Sequence, residues 1–151
     1  MRKKLALFTS FFLLLPLFLS AQTAAELEAI LQTQAVNCAQ AAKFVLASGS
    51  DAAAANLSAQ SAFDLALSRG WLAEGSKPDE KITLDKLSFL ILKSFNMKGG
   101  VMYSLNPGPR YAYKSMVSRD FIQGSTSPGM NVSGEKFLLI LGKVISAQGG
   151  N

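Results

Sequence analysis

The chain has 151 residues, with 15 Lys and Arg against 10 Asp and Glu, one cysteine and no histidine. Without histidine the most common general base and metal ligand are both missing, and a single cysteine excludes an internal disulfide framework. Setting aside Arg2, Lys3 and Lys4 lowers the formal charge from +5 to +2, so the sequence pI of about 9.5 makes no case for nucleic acid.

Met1 to Ala21 read as a cleaved export signal: a charged start at Arg2, Lys3 and Lys4, an apolar run from Leu5 to Leu19 broken by Pro16, and small residues at Ser20 and Ala21. The run falls short of the roughly 20 residues a membrane span needs. Gln22, not cysteine, follows the small residues, which excludes lipid attachment there. The mature chain, 22–151, then suits one domain with a hydrophobic core and no transmembrane segment. Its charge is uneven: Gln22 to Glu80 holds three basic and seven acidic residues, and Lys81 to Asn151 holds nine basic and three acidic. The basic half suits an anionic envelope polymer, or else its lysines are solvated helix faces.

Thr23 can cap a first helix with Glu26 completing the capping-box pattern, and Asn37 can cap a second helix that stops at Gly49. Cys38, inside that second helix, reads as a small buried apolar side chain. The stretch after Ser50, DAAAANLSAQ, links to a helix that carries Phe63 and ends near Arg69, where Gly70 lets the chain turn. Trp71 and Leu72 follow as an apolar wedge, then a loop with Gly75 and Pro78, with Thr83 as the next cap. The helix after Thr83 is apolar nearly all round, as is the one after Ser133, so both belong in the middle of a helical bundle. Between them NMKGGVMYSLNPGPRY reads as a connector, and the AQGGN tail as frayed.

Ser61 to Phe95 is written twice. Moved forward by fifty positions it lies without a gap on Tyr111 to Ile145, with identities at Ala62/Ala112, Ser68/Ser118, Arg69/Arg119, Pro78/Pro128, Lys86/Lys136 and Lys93/Lys143. Phe63/Tyr113, Trp71/Phe121, Leu72/Ile122, Ile82/Val132 and Leu90/Ile140 keep their apolar character, as a repeated core requires. Val36-Asn37 matches Ile82-Thr83 and Val132-Ser133, so residues 27–47 form a degenerate third copy beside the clear copies at 61–95 and 111–145. The expected fold is all-α: a helical bundle of two clear and one degenerate helix-loop-helix repeats.

The order helix, apolar-plus-glycine stretch (RGWLAEG, RDFIQGS), proline loop and then ITLDKLSFLILKSF or VSGEKFLLILGKVI resembles the S-layer homology domain. That resemblance implies a bundle of repeats, usually three, in the bacterial envelope, binding a cell-wall-linked polysaccharide noncovalently. Where the family's ITRAE has arginine and glutamate, this chain has Leu84 and Lys86 in one copy and Gly134 and Lys136 in the other.

The candidate ligand-binding residues are Arg69, Trp71, Lys86, Arg110, Tyr111, Arg119 and Lys136. Arg69 and Arg119 either meet the carbonyl end of a helix or contact an anion. Trp71 either stacks on a sugar or belongs to the core. Lys86 and Lys136 offer point charges without arginine's bidentate geometry. Arg110 and Tyr111 put a cation and an aromatic on the NPGP turn. No triad can be built without histidine, and no phosphate loop or dinucleotide fingerprint is present. The reading is therefore a non-enzyme, without cofactor or metal, exported to the periplasm or cell surface. Its expected partner is cell-wall polysaccharide or peptidoglycan; the alternative is a scaffold subunit that binds an envelope protein or itself.

Overall fold

The computed structural model describes residues 24–149, and the chain folds there as an all-helical bundle. The export signal expected over Met1 to Ala21 and the cap expected at Thr23 lie outside the described residues. Helix α1 covers 24–31, followed by α2 (Cys38–Ser48), a 3-10 turn (Ala52–Ala54), α3 (Ala59–Ser68), α4 (Leu84–Ser94), α5 (Val101–Leu105), α6 (Pro109–Ser118) and α7 (Gly134–Gly149). Among the described residues, extended pairing is limited to isolated bridges, Asn37 with Lys81 and Thr83 with Asn131. No helix among them is long and apolar enough to cross a membrane.

Local sequence starts and stops these helices. Asn37 caps α2 with a full capping box: its side chain accepts from the Gln40 amide, and the Gln40 side chain accepts from the Asn37 amide. Ser58 caps α3, and Pro109 opens α6, where a missing amide costs nothing. Past the end of α3, Gly70 takes the left-handed conformation (φ 68°); Asp120 takes it at the matching place after α6 (φ 59°). Cys38, Ala41, Ala42, Val45 and Leu46 of α2 are buried at the spacing of one helix face, with Ala39 buried beside them at the start of the helix. Helix α3 packs there and offers Ala62, Phe63 and Ala66; in the next copy α6 packs on α4 in the same way. The first helix of each clear copy thus lies on the long helix of the copy before it.

What joins the copies is a ring of backbone hydrogen bonds at the starts of the long helices. The first amides of a helix have no partner within it and must find acceptors elsewhere. Cys38 and Ala39, opening α2, donate to the carbonyls of Glu80 and Pro78 at 2.9 and 3.0 Å. Leu84 and Asp85, opening α4, donate in the same way to Met130 and Pro128, both at 3.0 Å. Gly134, opening α7, donates to Thr33 at 2.8 Å, which closes the circle. Inside it the Ile82 amide donates to Val36 and the Val36 amide to Val132, and all three β-branched side chains are fully buried. Carbonyls of a neighbouring copy therefore take up the first amides of all three helices, beside the side-chain caps of Asn37 on α2 and Ser133 on α7. Thr83, expected as a cap, makes no capping bond to α4 and gives its hydroxyl to the Asp85 carboxylate instead.

The front copy closes the ring because its loop is short. Val36 lies five residues past the end of α1, whereas Ile82 lies fourteen past the end of α3. This brings the end of α1 against the start of α7, where a Cβ on Gly134 would sit 1.6 Å from the Ile30 carbonyl oxygen.

Two further expectations need correction. The NMKGGVMYSLNPGPRY connector contains a helix, α5, which forms because Tyr103 buries its ring edge-on to Phe89 at 6.2 Å and the Gly100 amide donates to Ser115 Oγ at 2.8 Å. The tail is helical through Ala147, Gln148 and Gly149, where α7 ends; Gly150 and Asn151 lie outside the described residues. Cys38 is fully buried, and burial first, then the nearby Glu80 charge, pushes its thiol up to about 11.

Candidate functional site

Each repeated arginine ties the end of its helix to the connector that precedes it. Arg69 Nη2 pairs with Asp51 Oδ2 at 2.7 Å, and its guanidinium stands 4.8 Å from the centre of the Trp71 ring. Arg119 Nη2 donates to the Lys98 carbonyl, in the matching connector of the next copy. The Arg69 guanidinium holds the Asp51 carboxyl below the usual carboxylate range, helped by the Ala53 amide. Both arginines are thus engaged by the connector that precedes their own copy, and Arg69 covers one face of Trp71, which rests half-buried against the core.

At Arg119 the surroundings open into a groove of about 540 Å³ between the turn after α6 and the outer side of α7. Arg119, Asp120, Phe121 and Gln123 form one wall; Leu138, Leu139, Gly142, Lys143 and Ser146 form the other. Gly142 has no side chain to fill the space, and nothing lies within 4 Å of where its Cβ would stand. Lys143 Nζ donates to the Asp120 carbonyl at 3.1 Å and so spans the groove. A half-buried ring, two cations, the Asp120 carboxylate and two uncharged polar groups line this groove; the two cations outweigh the one acid, so the groove can accept a sugar ring with acidic substituents. Of the residues singled out from sequence, Arg119 lies in this groove. Lys143, Gln123 and Ser146 went unnoticed as site residues, although the Lys93/Lys143 identity between the copies was a usable signal.

The remaining candidates lie elsewhere. Lys86 Nζ pairs with Glu80 Oε1 at 2.6 Å beneath the loop of its own copy. At the matching place Lys136 has Met130 instead of an acid, and its backbone amide is capped by Ser133 Oγ at 3.3 Å. Arg110 is exposed in the first turn of α6; Tyr111 is half-buried, with Lys114 Nζ 5.7 Å from its ring centre.

The Lys86 ammonium, then the Lys77 amide, hold Glu80 below the usual carboxylate range, and the same pair holds Lys86 above its ordinary value. The folded chain keeps Glu80 ionised at pH values where the unfolded chain has begun to protonate it. Stability from the pair is therefore complete above the unfolded carboxylate pKa and is lost as pH falls from about 5 towards 2. Being partly exposed, the pair contributes about 0.2–1 kcal/mol. Glu80→Gln should lower the melting temperature slightly at neutral pH and shrink the gap to wild type in acid. Melting curves that stay parallel across the acid range would remove this pair from the account.

No protein-family model, no curated protein and no solved structure matches this chain.

Proposed function

We propose that this protein is an exported, non-catalytic binding module of the bacterial cell envelope, similar to S-layer homology domains, which holds a cell-wall-linked anionic polysaccharide or peptidoglycan noncovalently. The observation that carries the reading is the groove at the turn after α6, where Arg119 and Lys143 face a channel floored by apolar side chains and flanked by Phe121. Phe121 supplies a ring for the apolar face of a sugar, the two cations attract carboxylates or phosphates, and Gln123 and Ser146 offer hydrogen bonds to hydroxyls. The three-way ring of loops adds support, since repeats of this kind usually occur in threes. The absence of the family's arginine at Leu84 and Gly134 moves the charge to Arg119 and Lys143.

Sedimentation with purified peptidoglycan sacculi, untreated or stripped of secondary polymers and across a salt series, tests the reading. Retention should be lost on stripping and weakened by salt, because contacts to a polyanion are screened. Phe121→Ala with Lys143→Glu should weaken retention about ten-fold, equivalent to about 1.4 kcal/mol, with helix content unchanged. Failure to sediment with either preparation would move the function to protein partners.

A further inference from the structure

The face of α5 is inverted relative to an ordinary surface helix. Tyr103 points inward, while Val101, Met102 and Leu105 are 76%, 60% and 76% exposed. At 100° per residue these three side chains fall within one arc of about 100°, so they form a single apolar ridge. The ridge stands on a projecting turn between Gly99-Gly100 and Asn106-Pro107-Gly108.

The chain segment that carries it has one sign of charge. Between Asp85 and Asp120 the chain has no acidic residue, and Lys98, Arg110 and Lys114 are all exposed. Lys114 and Tyr111 line a cleft of about 250 Å³ together with Val101 and Met102, so cation, amphipathic ring and apolar ridge are immediate neighbours. We propose that this α5 face docks on an anionic lipid surface, with Val101, Met102 and Leu105 entering the headgroup boundary and Lys98, Arg110 and Lys114 meeting lipid phosphates. A lipid interface takes in projecting apolar side chains without a pocket of matching shape, and binding strengthens with apolar area and with anionic charge. Each lysine or arginine near such a surface strengthens binding about five-fold.

Because the apolar run Leu5 to Leu19 would itself carry the chain to lipid, the readout must be local. Amide hydrogen exchange of the full chain, alone and with phosphatidylglycerol or phosphatidylcholine vesicles, provides it. The Ser104 and Asn106 amides, which donate to Gly100 and Met102, should exchange about ten-fold more slowly on phosphatidylglycerol and unchanged on phosphatidylcholine. Val101→Ser, Met102→Ser and Leu105→Ser together, or Lys98→Glu with Lys114→Glu, should each abolish the slowing, while the α4 amides of Leu90 and Ile91 stay protected. Three results would overturn the proposal: no slowing on phosphatidylglycerol vesicles that carry the bound chain, equal slowing on both lipids, or slowing without lipid as protein concentration rises, which would mark a contact between copies.

Discussion

Gly134→Ala is expected to lower the melting temperature by about 10 °C. The added Cβ would fall 1.6 Å from the Ile30 carbonyl oxygen, 2.6 Å from its carbon and 3.2 Å from the Thr33 oxygen, so it meets backbone that no rotamer change can clear. Either α1 or the start of α7 must move, and the Gly134 amide bond to Thr33 that closes the ring is lost with it. Overpacking of this kind costs about 3 kcal/mol, and for a domain of this size each 1 kcal/mol shifts melting by about 3–4 °C. Alanine is the better helix former, so propensity works in the opposite direction and the measured loss is a lower bound on the cost of the clash and the broken bond. Gly142→Ala is the matched control in the same helix. Its Cβ meets nothing within 4 Å, and the substitution should raise stability by up to ~1 kcal/mol. Thermal unfolding followed by circular dichroism measures both; a Gly134→Ala protein that melts with wild type would mean the ring does not close at this point.

Phe137→Ala should cost about 3–5 kcal/mol, the range for removing a buried phenylalanine. Its side chain is fully buried, and its ring meets Phe44 of α2 edge-on, with centroids 6.3 Å apart and planes at 78°. That contact joins the last copy to the first, the same junction that Gly134 closes through the backbone. Against a total stability of roughly 5–15 kcal/mol, either substitution removes a large share. Denaturant titration gives the magnitude, and a double-mutant cycle with Phe44→Ala should find a coupling of about 0.5–1.5 kcal/mol between the rings. Loss below about 1 kcal/mol for Phe137→Ala would show that the space collapses around the missing ring or that α7 does not pack there.

The repeat was legible because packing constrains it position by position. Phe63/Tyr113, Leu72/Ile122 and Ile82/Val132 are buried at both sites, and burial tolerates exchange among apolar residues but not polar replacement. The Asn37 cap was legible because its partner, Gln40, is three residues away. The arginines were visible as a recurring pair, but their roles were not: Asp51 lies 18 residues from Arg69, and Lys98 lies 21 from Arg119. Helix α5 was read as connector because Gly-Gly and NPGP flank it, and its formation rests on Phe89 and Ser115, on other helices. The groove combines residues from Arg119 to Ser146, on two elements whose separation in the chain gives no sign that they face each other.

Composition, periodicity and caps were enough to establish that this chain is helical, that its unit recurs, and where most helices start and stop, since those properties depend on neighbours within about four residues. Closure of the copies into a ring was decided by folding. The first amides of α2, α4 and α7 need acceptors, but nothing local names which carbonyl will supply them. Only the three copies together bring Pro78, Glu80, Pro128, Met130 and Thr33 to those amides, and only then does Gly134 become a position where a single added carbon has no room.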